Sequence, residues 1–221
     1  MPVTRGGKDR IHEVAEVLTR CFHDDPVIHY FHNALTPAAE RDIKLQHFIA
    51  LVTAAALAGA SLEETQAYSG VSIWMPPGTE VGGNWIHIFQ SGLVGLIYKL
   101  GWGCKKFLFE YTSHSHALER ISVSRESWYL FFIATLPEAR GQGLCSRLIE
   151  PYKELARHED KQIWLEATTE KSKAIYLHLG FRVTGEFRLG KGSAASNGDV
   201  QAGGPGVPVW GMLYDPREHP K

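Results

Sequence analysis

The sequence is short of cysteine, of charge imbalance and of uninterrupted apolar runs. Its 221 residues hold three cysteines, Cys21, Cys104 and Cys145, an odd number with no pairing pattern. That excludes a disulfide scaffold and predicts free thiols in a reducing, cytoplasmic compartment. Lysine and arginine number 23 against 24 aspartates and glutamates, a net charge of -1. Such a balance excludes a broad electrostatic hold on nucleic acid and leaves room only for a local basic patch. The N-terminal MPVTRGGKDRIHEV has no apolar core of the signal-peptide kind. The most lipophilic stretch, Trp85 to Gly103, is interrupted by His87, Gln90, Ser91, Lys99 and four glycines, which makes a poor spanning helix. Its Ile86, Phe89, Leu93, Leu96, Ile97 and Leu100 recur at helical spacing. A helix or helix pair packed on the domain fits that pattern better than a membrane-contacting surface, the other reading. No Cys/His set has zinc spacing. His23, His29, His32, His114 and His116 therefore read as surface histidines, and no metal is expected.

The remainder is ordinary for a globular protein, with 44% apolar and 21% charged residues. The length is ample for one core. Ile11, Val14, Ala15, Leu18 and Phe22 share a face of a first helix, and Pro26 starts a short second one. A third is predicted over Ala38 to Ala58, with Thr36 as N-cap and Pro37 at its first position. LEETQAYS and GVSIWM read as a hairpin turning at Ser69-Gly70. Residues 84–120 read as a helical insertion. SWYLFFIAT and KQIWLEATT read as strands buried on both faces, each followed by a helix. RVTGEFRL and VPVWGMLY are late strands, separated by a glycine- and serine-rich loop, about 190–206, expected to be mobile. This order argues for one mixed α/β domain over residues 1–221.

Between the first buried strand and its helix lies RGQGLC. The first turn of a helix has backbone N–H groups without internal partners. Gly141 and Gly143 let a ligand approach such amides, and Arg140 adds positive charge. The motif lacks the third glycine of the dinucleotide fingerprint and the Gly-Lys-Ser/Thr of the phosphate loop. On these residues alone an anion seat and a tight turn both stand. Pro151, in the second or third turn, is expected to cost one helical hydrogen bond.

WYLFFIATLPEARGQGLCSRL, IWLEATTEKSKAIYLHLGF and GVSIWMPPGT, in this order and spacing, resemble the GNAT superfamily of N-acetyltransferases, in its branch of puromycin-type and fungal relatives. The resemblance covers residues 70–79 and 128–182. It implies a mixed sheet with two splayed parallel strands, flanked by helices, and acetyl-CoA as acyl donor. It places the backbone of Ile133, Ala134 and Thr135 along pantetheine, and Arg140, Gly141, Gln142, Gly143, Leu144, Cys145 and Ser146 around the pyrophosphate. Cys145 stands where glycine or alanine is usual. The asparagine often found in the next helix is absent, and Ser172 replaces its bond only approximately.

The implied activity is transfer of an acetyl group to an amine of a small molecule, within one ternary complex. Alternatives are an acyl-CoA sensor without turnover and a protein lysine or N-terminal acetyltransferase. Tyr176 is either the acid that protonates the departing thiolate or a packing residue. Glu166 is either a base or a structural carboxylate. Asp24 and Asp25 would attract a cationic amine or cap a short helix. Cys145, at a helix N-terminus, is a candidate for a lowered thiol pKa. The insertion and the glycine-rich loop are expected to wall the acceptor pocket, with Trp85, Phe89, Tyr98, Trp102, Phe107, Phe109 and Tyr111 near it.

Overall fold

The computed structural model describes residues 2–81, 83–100 and 106–218, and all their side chains except those of residues 37, 107 and 108. The chain opens with β1 (Val3–Gly6) and three helices, α1 (Ile11–Cys21), α2 (Pro26–His32) and α3 (Pro37–Leu57). Each helix start has a local cause. The Asp25 carboxylate accepts from the amides of Val27 and Ile28, and the Thr36 hydroxyl accepts from Ala39. A proline at the start of α2 and of α3 costs nothing, because a first-turn amide has no helical partner.

β2 (Ser61–Thr65) and β3 (Gly70–Met75) form the expected hairpin. Its turn lies one step earlier than Ser69-Gly70. Gln66, Ala67 and Tyr68 take positive φ in succession, held by Ser69 N–H to the Gln66 carbonyl and Tyr68 N–H to the Glu64 carboxylate. Gly70 is already in strand, where a Cβ would meet Leu144 and Thr65 at 3.2 Å.

The insertion consists of α4 (Trp85–Gln90), α5 (Leu93–Leu100), a π-helical turn (Lys106–Tyr111) and α6 (Thr112–Ser122). Then follow β4 (Ser127–Thr135), α7 (Leu144–Glu159), β5 (Gln162–Ala167), α8 (Glu170–His178), β6 (Arg182–Leu189) and β7 (Val207–Tyr214). α7 continues through Pro151, and Leu144, Leu148 and Tyr152 are buried on its inner face. Gly180, at φ +85°, closes the turn after α8.

One seven-stranded sheet takes the order β1-β2-β3-β4-β5-β7-β6. All neighbours are antiparallel except β4 and β5. That parallel pair is in register only at Ser127–Gln162, Trp128–Ile163 and Tyr129–Trp164. β4 then runs on to Thr135 without β5 beside it, so the sheet opens in mid-plane. One core packs α1, α2 and α3 against β2, β3 and β7. A second, holding Ile149, Tyr152, Ile163, Leu165 and Phe181, packs α7 and α8 on the sheet.

Two expectations change here. β5 is buried, but most of β4 is only half-buried; beyond Tyr129 its β5-side edge borders the opening instead of a neighbouring strand. The loop expected to be mobile is closed on itself. Ala194 bridges Val200, the Gly192 amide donates to the Gly204 carbonyl while the Gly192 carbonyl accepts from the Gly203 amide, and Asn33 donates to the Gly198 carbonyl at 2.7 Å.

Candidate active site

The side chains of a strand alternate between faces. On β5, Ile163, Leu165 and Ala167 enter the core beneath α7 and α8, so Trp164 and Glu166 project to the opposite face. There α6 crosses β6 and β7 at close range, because Gly185 and Gly211 face each other in register. A Cβ on Gly185 would stand 2.5 Å from Leu118, and one on Gly211 would stand 2.4 Å from the Trp164 ring. This approach brings Ser115 of α6 onto Glu166. Glu166 accepts from the Ser115 hydroxyl and from Trp164 Nε1 at one oxygen, the latter at 3.1 Å. Its other oxygen accepts from the Tyr129 hydroxyl at 2.8 Å. Burial raises the Glu166 pKa, while these three donors work in the other direction.

A cavity of about 760 Å³ fills the opening of the sheet. On one side it is lined by Ile133, Ala134 and Thr135 of β4, by Arg140, Gly141, Gly143, Leu144, Cys145 and Ser146, and by Lys171, Ser172 and Tyr176. On the other it reaches Glu166, Asp25, Thr168 and a largely apolar wall from Phe22, Phe31, Leu51, Tyr111, Phe131 and Phe132. One continuous space thus joins the glycine loop to the buried carboxylates.

The loop itself fits an anion. Gly141 and Gly143 have φ of +78° and +71°, which favours glycine, and a Cβ on either would project into open space. Gly143 is the N-cap of α7, and no side chain caps that helix. The first-turn amides are left for a ligand.

Comparison with known proteins decides the family. The acetyltransferase (GNAT) family model matches residues 81–181. An uncharacterized N-acetyltransferase of Schizosaccharomyces pombe is 32% identical over 174 residues, covering 76% of this chain and 69% of the relative. The chain belongs to the GNAT acetyltransferase family. Solved structures agree on the fold. A Corynebacterium glutamicum protein described as histone acetyltransferase HPA2 and related acetyltransferase superposes with a TM-score of 0.62 at 20% identity, over 96% of this chain and 94% of its own. Arylalkylamine N-acetyltransferase 2 from Aedes aegypti gives 0.60 at 16%, over 96% and 98%. The splayed parallel strands and flanking helices are therefore the GNAT fold, and acetyl-CoA is the donor used by this family.

Within the acetyltransferase, most residues singled out in the sequence gather at this cavity. Gln142 is an exception, since its side chain accepts from Gln66 Nε2 at 3.1 Å. Ser172 lines the cavity, but its hydroxyl is engaged in a capping box with Thr169. Cys145 does not have a lowered pKa. Burial pushes its thiol up to about 11. Burial likewise raises the Tyr176 phenol well above its usual value, with the Cys145 thiol and the Asp25 carboxylate adding to it. Tyr176 stays protonated at neutral pH.

The acceptor side differs from expectation. The glycine-rich loop contributes nothing to the lining, and the insertion contributes Tyr111. Trp85, Phe89, Tyr98 and Phe109 are exposed to solvent, and Trp102 and the Phe107 side chain lie outside the described residues. The walls come instead from α1, α2, α3 and β4. Asp25 has the capping role considered for it and also lines the cavity. It caps α2 with one oxygen and takes the Thr168 hydroxyl at 2.5 Å with the other, and it borders the cavity. Burial raises its pKa.

His47 reaches the cavity wall and pairs with buried His32 at 2.8 Å. Burial lowers these two to about 3 and about 4, so both are neutral. His29 pairs with Asp199 and His114 stacks on Phe187. Among the described residues no group of three His, Cys, Asp or Glu side chains is placed to hold a metal, and no helix is long and apolar enough to cross a membrane. Cys21 and Cys145 are free; Cys104 lies outside the described residues.

Proposed function

We propose that this acetyltransferase moves an acetyl group from acetyl-CoA to the amine nitrogen of a small molecule with an apolar or aromatic body. The observation that carries the reading is the single cavity running from the α7 N-terminus through the sheet opening to Glu166 and Asp25. The donor supplies an acetyl group activated as a thioester. The first-turn amides of α7, from Leu144 to Ser146, with Arg140 and Lys171, would hold its pyrophosphate. The unpaired edge of β4, at Ile133, Ala134 and Thr135, offers backbone groups to the pantetheine arm as a neighbouring strand would.

Glu166 and Asp25 would draw in an ammonium group and take up its proton, freeing the nitrogen lone pair. Three hydrogen bonds fix the Glu166 carboxylate in place, and its raised pKa makes it a stronger base than an exposed glutamate. Tyr176 holds a proton at its hydroxyl for the departing sulfur. As the nitrogen–carbon bond forms and the carbon–sulfur bond breaks, the amine gives its second proton to the other carboxylate or to water, the Tyr176 proton reaches the thiolate and Tyr176 is reprotonated from solvent, so one proton is released overall without a covalent enzyme intermediate. The phenyl rings of Phe22, Phe31, Phe131 and Phe132 would pack on the acceptor's body.

The test is thiol release from acetyl-CoA against a panel of amines, alcohols and peptides. Arylalkyl or alkyl amines should turn over, and peptides should not. Donor binding without turnover of any amine would overturn the reaction, and no donor binding by folded protein would overturn the site.

A further inference from the structure

α4 and α5 pack against α3, but only one face of them is used. Leu93, Leu96 and Leu100 enter a core with Ile43, Leu51 and Ala54 of α3. The opposite residues carry large apolar groups into solvent. Trp85 and Phe89, one turn apart on α4, are 77% and 72% exposed, and Tyr98, one turn after exposed Val94 on α5, is 91% exposed. Isolated exposed apolar residues are ordinary, but several aromatic rings on two consecutive short helices mark a contact surface. None of them borders the reaction cavity, so the acetyl-transfer reading does not account for them.

The charge of the segment identifies what covers it. Although acidic residues slightly outnumber basic ones over the whole chain, none occurs from Val81 through Phe109, while Lys99, Lys105 and Lys106 do. Glu110, the next acid, is turned inward, accepting from the Tyr30 hydroxyl and the Gly190 amide, and so is Lys106, which donates to the Tyr30 carbonyl and to Asn33 Oδ1; Lys99 is the exposed cation among the described residues of the segment. Lys99 is tied to Gln46 of α3 at 2.6 Å and keeps its ammonium exposed. Tryptophan and tyrosine rings have an apolar body and a polar edge, which suits the boundary between headgroups and acyl chains. Aromatic rings beside an exposed lysine, in a segment without outward carboxylates, complement an anionic lipid surface.

We propose that the outer face of α4 and α5 docks this acetyltransferase reversibly on anionic phospholipid bilayers, with Trp85, Phe89 and Tyr98 at the headgroup boundary and Lys99 against the lipid phosphates. Docking of this kind rests on the surface of two short helices and needs no spanning segment. It does not depend on the acetyl-transfer reading, and its test does not use activity.

The experiment is co-sedimentation of the full chain with vesicles of pure phosphatidylcholine or of equimolar phosphatidylcholine and phosphatidylserine. Binding should favour the anionic vesicles and weaken as salt rises. The triple variant W85S/F89S/Y98S should bind them about tenfold or more weakly, and K99Q about fivefold more weakly. Quenching of tryptophan emission by brominated lipid should fall in W85F, a second readout that does not need the triple variant to fold. Absence of binding to the anionic vesicles would overturn the proposal. So would concentration-dependent dimerisation of the wild type, abolished by the same triple variant, which would assign the face to a second copy.

Discussion

Replacing Glu119 with Gln should stabilise the protein above neutral pH and flatten its stability between about pH 4.5 and about pH 7. Glu119 lies on α6, one turn beyond Ser115, the residue that holds Glu166. Burial, then the charge of Glu166, then that of Glu80, raises its pKa from 4.5 to about 7. A folded-state value above the unfolded one means that the folded protein binds the extra proton. Its stabilising contribution is complete below pH 4.5 and is lost as pH rises through about 7. The gap between the two values corresponds to about 3.4 kcal/mol, and partial solvent access to the side chain reduces it to about 1–2 kcal/mol.

Urea unfolding of wild type and E119Q from about pH 5 to about pH 8 reads this directly. The two stability curves should converge at the acid end and separate progressively toward the alkaline end, with the variant higher. In an E166Q background the separation should shrink but persist, because burial is the larger cause and the Glu166 charge the second. Curves that run parallel across the range would refute the reasoning. So would a variant that is less stable at the alkaline end.

Gly143→Trp should abolish measurable CoA binding by calorimetry, since φ +71° disfavours any side chain and the indole would fill the loop; unchanged affinity would displace the phosphate seat. Tyr176→Phe should lower kcat by about 100-fold or more with the donor KM little changed, as loss of a general acid does, whereas a packing role would show mainly in thermal stability. Gly211→Ala should cost about 1–3 kcal/mol in denaturant unfolding, because its Cβ meets the Trp164 ring at 2.4 Å and overpacks the site where α6 crosses the sheet.

Local signals carried most of the elements. The proline starts and oxygen caps of α2 and α3, the buried run of β5 and the glycine loop before α7 each depend on residues within a few positions of one another, and the structure agrees with all of them. What escaped depends on residues far apart in the chain. Ser115 and Glu166 are separated by 51 positions, and the glycine pair that lets α6 come so close comes from two different strands. β4 reads as fully buried because hydrophobicity looks the same whether it faces a protein core or a cavity awaiting a ligand. The three left-handed residues Gln66, Ala67 and Tyr68 escaped for a different reason. None is glycine, and the Glu64 carboxylate that receives the Tyr68 amide is itself part of the preceding strand. The insertion was legible as helical, but not its orientation, so its aromatic residues were assigned to the acceptor pocket when they face outward.

The short parallel register between β4 and β5 has a mechanical consequence. Among the described residues, three paired positions at one end are the only ladder joining a four-stranded half-sheet to a three-stranded one. Beyond Tyr129 and Trp164 the halves are held by the Tyr129 hydroxyl on Glu166 and by helices and loops. A ligand that threads the opening and pairs with both edges acts as a removable cross-link between two halves of the same molecule. If the donor is that ligand, as proposed above, its concentration would set how firmly the two halves are held together. Saturation at 100 times the dissociation constant adds about 2.7 kcal/mol to unfolding, and the amides of Leu130 to Thr135 become the most responsive reporters of that load.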